Sequence, residues 1–208
     1  YGIMLLQWSA PEYVPRSFLV SGVSGTNKAV KQTDTSFRLT KQVADGLVDM
    51  QEVSKGLFLV QSEMAFKKET ELCEEYPERK VFQLSFCMNG ICEWDYRQKR
   101  GEHYQLSPTQ CSLQCGTFSQ CVSRFGSEEP YRTLSISLEQ ERFLPLAEDL
   151  EAAHLIRRDN KICTHIFSTT PEIRLVLQQL LDCPPERKLR KLYLEGKVLE
   201  LVSLFCEE

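Results

Sequence analysis

The sequence lacks a long hydrophobic run, a surplus of basic residues and any clear export signal. Its apolar stretches are shorter than the roughly 20 residues that cross a bilayer, and Tyr1–Leu6 has neither a basic lead nor a cleavage site. Lysine and arginine number 25 against 29 aspartates and glutamates, which gives a net charge of −4. Because contacts to phosphates need an excess of cations, we expect that this piece alone does not bind nucleic acid.

Histidine is also scarce, and the pattern of the three residues present matters for catalysis. His103, His154 and His165 are far apart, with no His-x-His pair. Neutral imidazole is the usual ligand of protein-bound iron or zinc. The sequence shows no glycine-rich phosphate loop and no compelling Ser-His-Asp or Cys-His order. We therefore expect no enzymatic activity, no protein-bound metal and no cofactor.

Cysteine, in contrast, is frequent, with nine residues. Without an export signal these are expected to be reduced thiols in the cytoplasm. Cys111, Cys115 and Cys121 resemble zinc ligands only loosely, since a second closely spaced pair is missing. Small buried thiols are the ordinary alternative. A thiol-based sensor that uses Cys87 and Cys92 also remains open at this stage.

Residues 1–140 have the pattern of many short strands separated by turns, which predicts a barrel or a sandwich. The strongest strand pattern occupies 81–88 and 91–97, around Asn89-Gly90, and predicts a type I′ hairpin. In that hairpin one face mixes polar and aromatic side chains, namely Gln83, Ser85, Cys87, Trp94 and Tyr96. Such a mixture is typical of a ligand pocket, and a face in contact with solvent is the alternative.

Helices are predicted after the strands, over 144–158 and as a pair near the C-terminus. Thr170 and Pro171 form a helix start, and Pro184 ends the apolar periodicity that follows. A second helix is predicted from about Glu186, with apolar residues on more than one stripe. Four residues are our candidates for a dimer seam: Leu194, Val198, Leu201 and Phe205. Packing on the first helix of the pair is the alternative for each of them.

Two segments carry a resemblance to a known family. Leu181-Asp182-Cys183-Pro184, followed by Leu189-Arg190-Lys191-Leu192-Tyr193-Leu194-Glu195-Gly196-Lys197, resembles the end of the ligand-sensing half of AraC-type transcription regulators. Within that family it is most similar to the pyochelin-regulator branch. The stretch from Gly101 to Leu113 is similar to the G-x-x-Y-x-L-x-P-G hairpin of cupin-type sensor barrels, with Thr109 where glycine is usual.

The resemblance implies an α+β chain, with a mainly β cupin-like barrel over 1–140 and a helical linker and dimerisation region over 141–208. The region would end in a pair of antiparallel helices. It also implies a bacterial regulator that forms a homodimer in the cytoplasm. Its effector would be a small molecule such as a ferric siderophore, and it would contact DNA only through a helix-turn-helix domain after Glu208.

From these patterns we predict a pocket lined by Trp94, Tyr96, Tyr104 and Phe118, with Arg124 as an anion partner. Ordinary packing or surface exposure is the alternative for each residue. Two other functions remain open: a thiol- or metal-responsive sensor of the same architecture, and a stand-alone cupin-like binding protein.

Overall fold

The computed structural model describes residues 3–7, 17–21, 36–39, 41, 43–97, 101–152 and 161–207. Within them, eleven strands form one sheet. The first six strands are β1 (Ile3–Gln7), β2 (Ser17–Ser21), β3 (Ser36–Phe37), β4 (Ala44–Ser54), β5 (Leu57–Phe66) and β6 (Thr70–Asn89). The others are β7 (Cys92–Tyr96), β8 (Tyr104–Leu106), β9 (Gln110–Phe125), β10 (Tyr131–Leu138) and β11 (Cys163–Ser168).

The helices follow β10 and β11. They are α1 (Gln140–Phe143), a 3₁₀ turn (Leu144–Leu146), α2 (Ala147–Ala152), α3 (Pro171–Leu181) and α4 (Arg190–Cys206). A mainly β fold that ends in a helix pair confirms the predicted fold class. No helix in the described part of the chain is both long and apolar enough to cross a membrane.

Two long antiparallel strands, β6 and β9, organise the sheet. Near one end of this pair, β10 pairs with the free edge of β6 and is followed in the sheet by β5 and β4. At the same end, β11 pairs with the free edge of β9. We call these strands the first layer. Near the other end, β2 pairs with β6 and is followed by β1, while β7 pairs with β9 and is followed by β8. We call these strands the second layer. The register of the β6–β9 pair shifts between Glu75 and Arg79, where the first layer passes into the second.

The inner faces of the two layers share one hydrophobic core. Cys87 of the first layer belongs to the same buried cluster as Trp94 and Tyr96 of the second, and the partly buried Val60 and Ile166 of the first layer pack against it. A hydrogen bond also joins the two layers, because the Thr164 hydroxyl donates to the Tyr96 hydroxyl oxygen at 3.3 Å. The layers therefore face each other across a shared core.

The helix pair covers the outer face of the first layer. Strands alternate their side chains between two faces. On β6, Phe82, Leu84 and Phe86 accordingly join a cluster with α3 and α4, whereas Cys87 joins the inner core. The same outer cluster contains Leu177 of α3. The helices are thus packed against the strands that form one wall of the interior.

Local signals place the ends of α3 as predicted. The Thr170 hydroxyl accepts a hydrogen bond from the backbone N–H of Ile173 at 3.3 Å, and Pro171 is the first helical residue. The helix ends at Leu181. The last helix begins at Arg190, four residues later than expected, after Leu189 adopts a left-handed backbone conformation with φ +55°. Of the predicted helix over 144–158, α2 and the preceding turn are described, and residues 153–158 lie outside the described part.

The predicted hairpin around Asn89-Gly90 is wrong in its pairing. Strand β6 pairs with β9 and β10 in this region, and β7 pairs with β8 and β9. Because β6 already has a neighbour on each side, the chain after Gly90 must continue into the second layer. The Asn89 amide fixes this crossing by donating a hydrogen bond to the Pro130 carbonyl at 2.7 Å.

Candidate functional site

Three aromatic residues that the sequence predicted as pocket lining lie together on the second layer. The rings of Trp94 and Tyr104 are stacked, with centroids 5.5 Å apart and planes at 22°. The ring of Tyr96 meets Tyr104 edge-on at 5.8 Å. Strand register explains this grouping, because Trp94 and Tyr104 are direct partners on β7 and β8, and Tyr96 follows Trp94 on the same face.

A second aromatic group in the same core comes from both layers. Phe66 of β5 stacks on Phe125 of β9 with ring centroids 4.6 Å apart. Tyr131 of β10 packs against Phe125 at 4.9 Å. The core between the layers is therefore rich in aromatic rings that pack against one another, a residue type that also commonly lines small-molecule sites.

Part of the inner face of the first layer, on β6, β9 and β10, is polar but uncharged, and the sequence pattern predicted only its β6 members. Adjacent strands contribute a band of hydroxyl and amide side chains, defined here as the neutral band: Gln83, Ser85, Ser112, Gln114, Thr133, Ser135 and Ser137. These side chains lie on the inner face because they alternate along their strands with residues of the outer cluster, such as Leu84, Leu113 and Ile136. The alternation of hydroxyl and aliphatic residues over 133–138 is the sequence signal that could have revealed the β10 part.

Two polar atoms in this core have no hydrogen-bond partner among the residues that the structure describes. They are the indole N–H of Trp94 and the hydroxyl of Ser112, in side chains that are 3% and 0% exposed. In contrast, the Ser85 and Ser135 hydroxyls bond to each other at 2.9 Å, and the Gln83 amide donates to Ser85 at 3.0 Å. Buried polar groups are nearly always satisfied, so an unsatisfied donor often indicates a missing ligand or water.

Burial raises the pKa of Tyr96 well above its ordinary value. The nearby Cys121 thiol acts in the same direction, and the Thr164 hydroxyl and the Trp94 indole partly offset both effects. Tyr96 is therefore a neutral phenol at physiological pH. The indole N–H of Trp94 lies near this phenol oxygen but outside hydrogen-bond geometry.

The other two predicted pocket residues differ in what the structure describes of them. The backbone of Phe118 pairs with Arg79, but the side chain of Phe118 lies outside the described part. Arg124 on β9 is the register partner of Glu93 on β7. Because Glu93 is adjacent to the inward-facing Trp94, Glu93 and Arg124 lie on the outer face of the second layer. Its role as an anion partner stays a prediction.

Arg124 belongs to an ion-pair network on that outer face. Its guanidinium contacts Asp95 at 2.5 Å and Glu71 at 3.2 Å, and His103 contacts Asp95 at 2.9 Å. Burial alone would raise the pKa of Asp95, but the hydrogen bonds from Arg124 and His103 outweigh it and lower that pKa. An open cleft of about 520 Å³ lies beside the network, lined by Glu69, Thr70, Glu71, Ile91, Glu93, Arg124, Phe125 and Gly126.

The four predicted dimer-seam residues lie in the outer core of their own chain. Leu194, Val198, Leu201 and Phe205 are all buried, in one cluster with α3 and the first layer. The Phe205 ring meets Phe167 of β11 edge-on at 4.9 Å. This arrangement corresponds to the alternative of packing within the chain. A different stripe of α4 is exposed, with Leu192 65% and Leu199 48% exposed.

The cysteines do not form an obvious reactive site in the described part of the chain. All nine are free thiols, and eight of them are buried. Burial raises the pKa of Cys87 to about 11. Reactive thiols have lowered pKa values and partial exposure, so Cys87 has the character of a structural thiol. Among the described residues no group of three or more His, Cys, Asp or Glu side chains is arranged to hold a metal ion.

The predicted domain boundary at residue 140 stays a prediction. Strand β11 lies after that boundary and pairs with β9 from Cys163 to Ser168. The structure therefore connects the second predicted region to the sheet through a strand as well as through helix packing.

Comparison with protein families gives one match over most of the chain. Residues 45–208 match the family described as the N-terminal domain of the regulatory protein PchR. The match includes β4 through β11 and the helix pair, and so includes both walls of the interior. A search of the curated proteins found no similar sequence.

Two solved structures share the fold. The AraC-like transcriptional activator CuxR has 8% identity and a TM-score of 0.51, with 80% of this chain and 60% of that chain covered. Apo ToxT from Vibrio cholerae, as a point variant, has 12% identity and a TM-score of 0.52, with 74% and 56% covered. This chain thus spans less than two thirds of the length of either protein. At these identities the similarity shows the fold alone.

Proposed function

The chain belongs to the family of PchR N-terminal domains of AraC-type regulators, and from this membership we propose that it senses a small-molecule effector. The effector binds between the two layers, on the stacked aromatic group of Trp94, Tyr96 and Tyr104. The observation that supports this proposal is the core between the layers, which combines stacked aromatic rings, a neutral band and two unsatisfied polar atoms.

We propose an aromatic ferric siderophore as the effector, as the family resemblance implies. Stacked indole and phenol rings suit the flat aromatic part of such a ligand. The iron would arrive already chelated by the siderophore, so the protein would contact the organic shell. The predicted contribution of Phe118 to the same lining is a further part of this proposal. The role of Arg124 as an anion partner is proposed separately, because Arg124 lies on the outer face of the second layer.

The proposed dimer uses the exposed stripe of α4, defined by Leu192, Gly196 and Leu199. Residues four and seven positions apart lie on one side of a helix. A Cβ placed on Gly196 would meet no atom within 4 Å, so a second helix can approach closely there. The occupant that we propose is the same stripe of a second copy. The buried stripe of Leu194, Val198, Leu201 and Phe205 supports it from behind.

Polar contacts between α4 and the first layer provide a route from the interior to this stripe. Glu195 accepts hydrogen bonds from Ser54 of β4 at 2.8 Å and from Arg142 of α1 at 2.5 Å. Arg190 donates to Gln51 of β4 at 2.7 Å. A ligand that shifts the first layer would therefore move α4. Such a ligand changes DNA binding only if it binds with different affinity to two arrangements of the barrel and the helices.

We further propose that DNA is contacted by a helix-turn-helix domain beyond Glu208, that the protein works in the cytoplasm and that it catalyses no reaction. Sequencing the coding region beyond Glu208 tests the first of these. Two helix-turn-helix units are expected there. A coding region without them would favour the stand-alone binding protein instead.

The ligand proposal is tested by a thermal-shift screen of siderophores with and without iron. A ligand that binds only the folded protein raises its melting temperature by mass action. We expect a rise for an aromatic ferric siderophore, and a loss of that rise in Trp94→Leu. Met88→Ala, at an exposed position, is the control and should keep the rise. If no siderophore in either form raises the melting temperature, the effector proposal is wrong.

A further inference from the structure

The outer cleft beside Arg124 carries a net negative charge. Three adjacent strands place its charges side by side, because Arg124 of β9 is the register partner of Glu71 on β6 and of Glu93 on β7. With Glu69, the lining contains three carboxylates against one guanidinium. That guanidinium already pairs with Glu71 and with Asp95. The cleft is therefore complementary to cations.

The same cleft also offers an apolar surface. Ile91, between β6 and β7, lines the cleft and is 50% exposed. Phe125 of the inner core lines it as well. The volume of about 520 Å³ lies within the range of about 300–1,000 Å³ that ligand pockets have, so several side chains of a partner can enter. Carboxylates around an exposed isoleucine suit a segment that presents cations together with an apolar side chain.

The chain itself contains a segment with those properties, at the start of α4. We define residues 187–191 as the basic segment, in which four of the five side chains are cations. Its one apolar residue, Leu189, is 76% exposed, and Lys188 and Lys191 are exposed on either side of it. Cations at the start of a helix oppose the helix dipole, and an exposed leucine adds little to the core. These side chains therefore gain little from their own fold and are available to a partner.

The basic segment and the cleft lie on opposite sides of the chain. Arg190 donates a hydrogen bond to Gln51 of β4, which holds the basic segment beside the first layer. The cleft opens on the outer face of the second layer. A contact between the two features therefore joins different copies. Such a contact is heterologous, since each copy contributes a different surface, and it does not use the exposed stripe of α4.

We propose that the acidic outer cleft of one copy binds the basic segment of a second copy. Leu189 packs on Ile91, and the lysines on either side of it pair with Glu71 and Glu93. The contact goes beyond the proposed sensing and dimerisation, because it joins one dimer to the next. Its ion pairs lie at the protein surface, so the contact is weak and depends on salt.

Sedimentation velocity of the 208-residue chain at low and high salt tests whether the contact forms. Screening of exposed charges is strong at about 0.5 M salt and weak at about 0.05 M. We expect larger species at the lower salt concentration, in an amount that grows with protein concentration, and their loss at the higher one. A chain that shows no larger species at low salt, or whose larger species persist at high salt, overturns the proposal.

Charge reversal on each side identifies the two surfaces. Lys188→Glu and Glu93→Lys should each raise the dissociation constant of the larger species about tenfold or more, because like charges then face each other. An equal mixture of the two variants should associate again, since the native segment of Glu93→Lys meets the native cleft of Lys188→Glu. Lys55→Glu, at an exposed turn, is the matched control with the same change in net charge, and it should associate as the natural chain does.

Other outcomes assign the association or the cleft differently. If the two reversals have no effect, or if Lys55→Glu weakens association as much as Lys188→Glu, the contact depends on other charges and the proposal is wrong. A mixture of the two variants that stays dissociated also overturns it. Calorimetry with inorganic phosphate covers the remaining case. Binding that Arg124→Gln abolishes would assign the cleft to an anion instead of the basic segment.

Discussion

Replacement of Leu201 by alanine tests whether the buried stripe of α4 is part of the chain's own core. Leu201 is completely buried among α3, α4 and the first layer. The change removes three carbon groups at about 0.8 kcal/mol each. It also leaves a cavity, because the sheet behind the helix cannot collapse into the space. We expect a loss of about 3–4 kcal/mol in the free energy of unfolding.

The matched control is Leu199→Ala, two positions earlier on the same helix. Leu199 is 48% exposed, so the same chemical change should cost less than about 1 kcal/mol. Both variants are measured by urea unfolding at two protein concentrations that differ tenfold. If Leu201 packs within its own chain, the loss in the free energy of unfolding of Leu201→Ala does not depend on protein concentration. Analytical ultracentrifugation of Leu199→Ala should show a weaker dimer.

Three results would refute this reasoning. A cost below about 1 kcal/mol for Leu201→Ala would mean that its site is not a rigid core. A cost that grows with protein concentration would place Leu201 between two copies, as the sequence pattern alone had predicted. Equal costs for Leu201→Ala and Leu199→Ala would remove the distinction between the two stripes of α4.

Three further predictions follow from local geometry. Thr109 has φ +69°, so Thr109→Gly should be more stable than Thr109→Ala by about 1 kcal/mol in urea unfolding. A Cβ on Gly116 would lie 2.5 Å from the Lys161 carbonyl oxygen, so Gly116→Ala should cost at least about 2 kcal/mol; a neutral result contradicts the packing of this segment. The Ser54 hydroxyl, and then the Arg142 guanidinium, lower the pKa of Glu195 below its ordinary 4.5. Its ionised form therefore stabilises the fold above that pH, and Glu195→Gln should be less stable at pH 7, with a difference that shrinks as the pH falls below 4.5. A difference that does not change with pH would contradict that role.

The elements with local signals could be predicted from the sequence. A capping hydroxyl at Thr170, a proline at 171 and a second proline at 184 fix the limits of α3 without help from the rest of the chain. The alternation along β6 and β7 was also predicted correctly, since Cys87 of β6 and Trp94 and Tyr96 of β7 share the inner core.

Strand pairing could not be predicted, because it depends on distant parts of the chain. An Asn-Gly pair favours a hairpin only when a free strand edge is available, and β6 has β9 and β10 on its two sides. For the same reason Ser112 could not be recognised, since its partners in the sheet come from β6 and β11.

The two stripes of α4 illustrate another limit of pattern reasoning. Periodicity shows that the helix has two apolar stripes, but it does not show which one meets the sheet of the same chain. The structure buries Leu194 and Leu201 and exposes Leu192 and Leu199. The buried stripe is the one whose side chains fill the space between α3 and the first layer.

Hydrogen exchange with and without an aromatic ferric siderophore tests the account most directly. The central claim is that the effector occupies the interior between the layers and contacts both walls. The account predicts slower exchange in segments that contain β7, β8 and the part of β9 around Ser112, together with a smaller change in α4. Saturating siderophore that leaves those strands unchanged, or that protects only the outer cleft beside Arg124, would contradict it.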